Sequence, residues 1–388
     1  MSSDKNNTTS STTTTPERKY KNLKDFETYE EFDMRLIEQI RGETPADIND
    51  KCLQLCKDYL AGDWLNQTLD TIEVTRISGG FSNQLYRCAI SNPINLDKPH
   101  EVAVRLYQSK WFNTENSGGF ERLNDIVVEI LISQHKLGPK VLGLFDGGEI
   151  QLFYKHKLLH IEEQSNPQYS EQLFRAIARV HALDAPLKKQ HWIHNELSNV
   201  WEQAKQQFPS DQLLDECDCQ TLKTHDLGQE VHWLNKTIEE LNCPMVFSHN
   251  DFVHSNIMIL DTPDDSGNRI MLCDYEYASY GYRGQDLGTI ICEWGHPWND
   301  MKSFHNFIDD SLIEQFLRHY IDENVSIFGD KYLENENNSL NQLMKESKLF
   351  ALVFKMTLIL WSVKGGDETD GFSLDNKIAV KLFNKYQI

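Results

Sequence analysis

The chain has 388 residues, 39% of them hydrophobic, which is enough for two lobes with a sizeable core. Lys plus Arg number 38 against 59 Asp plus Glu, so the formal charge of -21 works against a nucleic-acid backbone and an anionic membrane surface and suits a cationic small molecule better. No segment has the roughly 18 uninterrupted apolar residues of a membrane helix and the N-terminus lacks a leader-like apolar run, so a soluble, cytoplasmic protein without membrane insertion is expected.

Residues 1–25 open with a Ser/Thr/Asn tract that cannot offset its own ordering entropy and is predicted to be a disordered tail. "PADINDKCLQLCKDYLAGDWL" (45–65) places Cys52, Leu53, Cys56 and Leu60 on one helical side, with Pro45 where a first turn tolerates it. "TIEVTRI", "QLYRCAI" and "EVAVRLY" follow, rich in β-branched and aromatic residues and separated by Gly, Asn and Pro, and they predict consecutive antiparallel strands. A helix is expected at 118–136 and two short strands within "KVLGLFDGGEIQLFY". Beyond about 160 the pattern turns helical, at 170–183, 195–208, 226–242, 285–294, 301–322 and 340–364, with one β-hairpin inside it. Sheet first and helices afterwards predicts an α+β chain with a small antiparallel-sheet lobe over 26–156 and a larger, mainly helical lobe over 157–388. The eight cysteines form no C-x-x-C pair and no Cys-His set with zinc spacing, so reduced thiols are expected. Cys217 and Cys219, either side of one Asp in a polar stretch, are better taken as ordinary surface thiols than as a metal or redox pair.

The chemistry concentrates in "FSHNDFVHSNIMIL" (247–260). "IMIL" and "RIMLC" are apolar runs separated by "DTPDDSGN", a stretch of turn formers, and should pair as an antiparallel hairpin. If the arms match evenly, Asn256 lies opposite Asp274, and an amide oxygen and a carboxylate converge where Asp251 enters. Such an oxygen set suits Mg²⁺, which takes few protein ligands and keeps room for phosphate oxygens, while His249 and His254 need not be ligands. Asp251 and Asn256 have the D-x4-N spacing of a kinase catalytic loop, in which the Asp receives the hydroxyl proton and the Asn holds the metal. Each residue alone could equally cap a turn; their combination with the hairpin and a second Asp is what favours catalysis.

"DYEYASYGYRGQDLGTIICEW" (274–294) resembles the choline/ethanolamine kinase signature, with Asp274, Glu276, Tyr277, Asp286 and Glu293 in register immediately downstream of the H-N-D-x4-N loop. Gly281 and Thr289 stand where the family usually carries Asn, which puts the bracing of loop and helix in question. The resemblance covers roughly residues 70–388 and implies a bilobal, protein-kinase-like fold using ATP and Mg²⁺, with Asn256 and Asp274 as metal ligands. It implies phosphorylation of choline or ethanolamine for phospholipid synthesis, with room for a homodimer.

"RISGGFSNQLYRC" is similar to the family's phosphate-side turn: Gly79 and Gly80 allow backbone N–H groups close to phosphate oxygens, Ser82 offers a hydroxyl, and Asn83 completes the motif. Arg105 in "VAVRLY" should face the cleft while Val104 and Leu106 face the core. Its guanidinium can bind phosphate through two parallel bonds, and the resemblance assigns Glu129 as its ion-pair partner. "EIQLFY", with Gln151 and Phe153, resembles the interlobe linker that meets adenine. Resemblance also assigns Tyr277, Glu293, Trp298 and Trp361 to the ammonium pocket. Aromatic faces and a carboxylate hold a quaternary ammonium, whereas a primary ammonium seeks three acceptors. Leu358 replaces the first Trp of the family's W-x-x-W helix and "GGDETDGFSLDN" is poor in aromatics, so the cage is incomplete; Trp361 could equally be helix core. An aminoglycoside-like phosphotransferase and a nucleotide-binding pseudokinase are the alternatives, the first opposed by the 274–293 signature and the second by the complete set of transfer residues.

Overall fold

The computed structural model describes residues 44–77, 83–95, 98–107, 122–190, 193–216, 220–296 and 308–364. The Ser/Thr tract, Gly79, Gly80, Ser82, Cys217, Cys219, Trp298 and the "GGDETDGFSLDN" stretch lie outside them.

The first helix, α1 (Ile48–Tyr59), buries Cys52 and Cys56 completely. It ends earlier than its periodicity suggested, because Gly62 adopts a left-handed φ of 75° and the chain tightens into a 3₁₀ turn, Gly62–Asn66. That turn drives Trp64 into the core, where its indole N–H donates to Pro99 O at 2.7 Å.

Strands β1 (Ile72–Ile77), β2 (Gln84–Ile90), β3 (Glu101–Leu106), β4 (Val141–Phe145) and β5 (Gly148–Leu152) form one sheet in the order β1-β2-β3-β5-β4, with every neighbouring pair antiparallel. Val102, Val104 and Leu106 pack with Tyr86, Trp64 and the two α1 cysteines on one face. Strand alternation sends Arg105 to the other face, opposite Leu85 on β2 and Glu149 on β5. Helix α2 (Arg122–Gln134) lies against that face, yet its Val128 and Ile132 belong to the core of the second lobe and so tie the two together.

β6 (His156–Leu158) pairs with β8 (Ile257–Leu260), which pairs in turn with β9 (Ile270–Leu272). Around this small sheet lie α3 (Pro167–His181), α4 (Ile193–Gln206), α5 (Leu227–Leu241), α6 (Arg283–Glu293), α7 (Asp310–Phe328) and α8 (Leu340–Lys364). Asn166 and Asp226 cap α3 and α5 by accepting from Gln168 N and Gln229 N. A second sheet of two four-residue strands, β7 (Met245–Ser248) and β10 (Ser279–Tyr282), was not anticipated, because runs this short carry no readable alternation. The helix expected over 301–322 runs instead from Asp310 to Phe328.

All eleven residues of α6 are buried. It lies backbone to backbone on α8: a Cβ added at Gly288 would stand 2.5 Å from Ala351 N and 2.6 Å from Phe350 C. At its first turn the buried Arg283 pairs with the fully buried Glu346 of α8, through Nε to Oε2 at 2.7 Å and Nη2 to Oε1 at 3.0 Å. Among the described residues no helix is long and apolar enough to cross a membrane.

Candidate active site

β7 delivers the chain into the loop that begins at His249, and the carboxylate of Asp286 holds that loop. Asp286 is fully buried on the first turn of α6; Oδ2 accepts from His249 N–H at 2.7 Å and Oδ1 from Asn250 N–H at 2.8 Å. His181 of α3 approaches the same carboxylate with Nε2 at 3.0 Å, and Tyr320 OH meets its Nδ1 at 3.0 Å. Two backbone donors on one buried anion fix the loop's entry, and this role follows from a position the sequence reading used only as signature. Asn250 has a left-handed φ of 63°, which Asn tolerates, and its Nδ2 donates to Tyr277 O at 3.0 Å and Ser279 Oγ at 2.9 Å. His249 is buried with its ring 4.5 Å from that of Tyr275 and its Nε2 3.0 Å from Cys273 O; burial lowers its pKa and favours the neutral ring.

Asp251 follows. Asn256, after a 3₁₀ turn over His254–Asn256, donates from Nδ2 to Asp251 Oδ2 at 2.7 Å and to Asp251 O at 3.0 Å. The amide nitrogen is thereby committed to Asp251, and Oδ1 is the atom left to meet a cation. Desolvation, and then the charge of Asp274, push the Asp251 carboxyl up to about 7 against the opposing Asn256 bond, with Glu276 and Glu293 adding to the rise.

The hairpin register differs from the even match. Ile257 faces Leu272, so Asn256 faces Cys273, whose N–H donates to Asn256 O at 3.0 Å, and Asp274 comes one residue later. The turn sets this count: Leu260 N–H donates to Arg269 O at 2.8 Å, and Asp264 Oδ1 accepts from Ser266 N–H and Asn268 N–H. Asp274 has a left-handed φ of 63°, and its carboxylate reaches Arg105.

Arg105 is buried among four carboxylates. Nη2 contacts Asp274 Oδ1 closely and lies 3.9 Å from Glu276 Oε2, while Nη1 lies 3.4 Å from Glu129 Oε1 and 3.8 Å from Glu149 Oε1. Burial alone would disfavour its charge, but the carboxylates, Asp274 first, outweigh that and hold the guanidinium well above its usual pKa. Asn83, just before β2, reaches this group, with Nδ2 donating to Glu276 Oε2 at 2.9 Å. Glu149 was missed by sequence reasoning. The available signal was polar Glu149 and Gln151 at alternate positions of the otherwise apolar "EIQL", which puts both on the face of Arg105. Gln151 sits inside this cluster, its Nε2 donating to Glu149 Oε1 at 3.1 Å. Phe153 lies beyond the strand end beneath the Arg87 guanidinium, 5.6 Å from its ring centroid.

Tyr277 is buried. Glu293, also buried, accepts from His254 N–H at 3.0 Å through Oε2, which lies 2.8 Å from His254 Nδ1. One of its oxygens therefore braces the Asp251–Asn256 loop. Trp361 is partly buried against the α4–α5–α8 core cluster, and Leu358 packs beside Cys292 and Ala351. At Gly281 a side chain would meet an obstacle: a Cβ would stand 2.8 Å from Asn250 Oδ1, so in this chain Gly leaves the loop its room.

Among the described residues no three His, Cys, Asp or Glu side chains stand at metal-ligand spacing. One amide oxygen and one carboxylate fit a hard cation that keeps water and phosphate ligands, and do not fit a zinc-type cage.

A small antiparallel sheet over a helical lobe, with this loop and hairpin between them, defines a protein-kinase-like small-molecule phosphotransferase. A solved choline kinase from Cryptosporidium parvum superposes with a TM-score of 0.62 at 17% identity, covering 87% of this chain and 94% of that one. An ethanolamine kinase from Plasmodium vivax gives 0.61 at 17%, covering 94% and 96%. The choline/ethanolamine kinase family model matches residues 74–387. The human choline/ethanolamine kinase is 29% identical over 327 residues, 82% of this chain and 80% of its own length. The chain belongs to the choline/ethanolamine kinase family.

Proposed function

We propose that the protein transfers the γ-phosphoryl group of ATP to the hydroxyl of choline or ethanolamine, giving the phosphoamine that feeds phospholipid synthesis. The observation that carries this reading is the convergence of Asp251, Asn256, Asp274 and Arg105 at one cleft, with Asp251 bonded to Asn256 and Asp274 to Arg105.

Asp251 orients the alcohol and accepts its proton; its raised pKa brings a carboxylate closer to the range in which a base works at neutral pH. Asn256 Oδ1 and Asp274 would hold Mg²⁺, which supplies neutralisation of the phosphate charge when bound. Arg105, held by Glu129, binds phosphate oxygens, and the family resemblance assigns Gly80, Ser82 and Asn83 to the same phosphates. Gln151 supports the cleft face and Phe153 closes the linker toward the adenine. Tyr277, Trp298 and Trp361 would offer aromatic faces to the ammonium, and the oxygen of Glu293 that does not meet His254 offers it a charge. An incomplete cage with a carboxylate admits both amines. A cytoplasmic setting, where ATP is supplied, belongs to the same reading.

The test is ³¹P NMR of the product formed from ATP, Mg²⁺ and each amine. A phosphomonoester resonance from choline or ethanolamine is expected; ATP consumption without one would contradict the proposal.

A further inference from the structure

Glu149 has no part in the reading above, yet the fold treats it as an unusual residue. It is wholly buried on β5, in register with Arg105 on β3, and its carboxylate takes a side-chain hydrogen bond from Tyr107. Its Oε1 faces Arg105 Nη1 at 3.8 Å, and Glu129 Oε1 faces the same nitrogen at 3.4 Å. The Glu129 contact is a long hydrogen bond and the Glu149 contact an ion pair just beyond hydrogen-bond reach, so Nη1 lies between two carboxylates with neither at short charge-assisted distance. The other end of the guanidinium, Nη2, has its own pair, Asp274 and Glu276.

This symmetry has a mechanical consequence. Asp274 is one of the two residues proposed to hold the metal, and Arg105 must leave it for phosphate oxygens when nucleotide enters. Nη2 already touches Asp274, and the pull on Nη1 from the opposite side limits how far the guanidinium follows that contact. We propose that Glu149 is a positioning residue for nucleotide binding, acting with Glu129 as one half of a two-carboxylate anchor that keeps Arg105 available to phosphate. The inference rests on the reading of Arg105 as a phosphate-binding residue.

Because the anchor is shared, loss of either carboxylate leaves the other in place. Gln151 supports this: its Nε2 lies 3.1 Å from Glu149 Oε1 and 3.5 Å from Glu129 Oε2, so one amide spans both partners. Removing both leaves Nη1 without a counter-charge, and the guanidinium settles on Asp274 and Glu276.

The experiment is a double-mutant cycle with Glu129→Gln, Glu149→Gln and the pair, reading the Kd of ADP with MgCl₂ by calorimetry, KM for ATP against kcat, and the melting temperature. Each single variant is expected to raise Kd and KM roughly threefold, and the pair at least thirtyfold, well above the product of the singles, with kcat at saturating ATP falling far less. A bystander Glu149 gives another pattern: Glu129→Gln matches the pair, and Glu149→Gln is neutral in both backgrounds. That result, or tighter ADP binding in the pair, overturns the proposal. If the pair does not fold, Glu129→Asp replaces Glu129→Gln in the cycle and the same non-additivity is read. Arg105→Ala separates the two claims: if ADP binding is unchanged in that variant, the phosphate role of Arg105 fails, whatever Glu149 does.

Discussion

Asp286→Ala removes the acceptor of two backbone N–H groups, His249 at 2.7 Å and Asn250 at 2.8 Å, together with the partner of His181 Nε2 at 3.0 Å. The carboxylate is completely buried, so no water replaces it at the existing geometry. A hydrogen bond to a charged acceptor contributes about 1.5–3 kcal/mol, and two donors left buried make the expected loss about 3–6 kcal/mol. Asp286→Asn keeps one acceptor oxygen and sets an NH₂ against an N–H, so its cost falls below that of Ala but stays above about 1 kcal/mol. The loop that loses its anchor carries Asp251, and a displacement of about 1 Å at a reacting group lowers turnover on the order of a hundredfold. Arg105 and its carboxylates are not bonded to Asp286, so ADP affinity should stay within about threefold. Urea denaturation, steady-state kinetics and ADP calorimetry on both variants read all three effects. An Asp286→Ala protein with wild-type stability and a kcat within threefold of wild type would refute the reasoning.

Gly288→Ala pushes a methyl into the Phe350–Ala351 backbone at 2.5–2.6 Å, and forcing α6 from α8 should cost about 1–3 kcal/mol, read as a lower denaturation midpoint; an unchanged midpoint would mean the helices separate freely. Gly281→Ala brings a Cβ to 2.8 Å from Asn250 Oδ1 and should lower kcat roughly tenfold with little change in the melting temperature, because the strain falls on the loop next to Asp251; kinetics like those of wild type would count against it. The Asp251 carboxyl is raised to about 7 in the folded, metal-free protein, against roughly 3.9 unfolded. The folded state therefore holds the extra proton between about pH 4 and 7, and the stability this gives is lost as the pH rises through that window. Asp251→Asn should accordingly melt with the wild type near pH 4 and a few degrees above it at pH 8; a variant that melts lower at pH 8 would reverse the sign.

Much of the fold was legible because its elements are long and periodic. The three N-lobe strands, α3, α5 and α8 each have patterns that local physics reads directly. β7 and β10 escaped because four residues do not show a period, although β7 leads into the loop that carries Asp251 and β10 contains Gly281. Asp251, Asn256 and Asp274 were readable from spacing, but the register between them was not: it depends on how Asp264 folds the intervening turn. The contacts of Asp286, and any part for His181 and Glu149, were hidden for a different reason. Each acts through a partner 36 or more residues away, or on an adjacent strand, and such contacts exist only once helices and sheet have packed. Glu293 shows the converse case, since the family resemblance assigned it to the ammonium while its neighbour in space is the loop residue His254.

The most direct test of the whole account is ADP release from Mg-ATP with choline and ethanolamine in parallel, comparing the wild type with Asp251→Ala. Amine-dependent turnover that falls by about two to four orders of magnitude in the variant, with ADP binding retained, is the predicted result. Turnover within threefold of wild type in Asp251→Ala, or no amine-dependent ADP release by a wild-type protein that binds ATP, would contradict it.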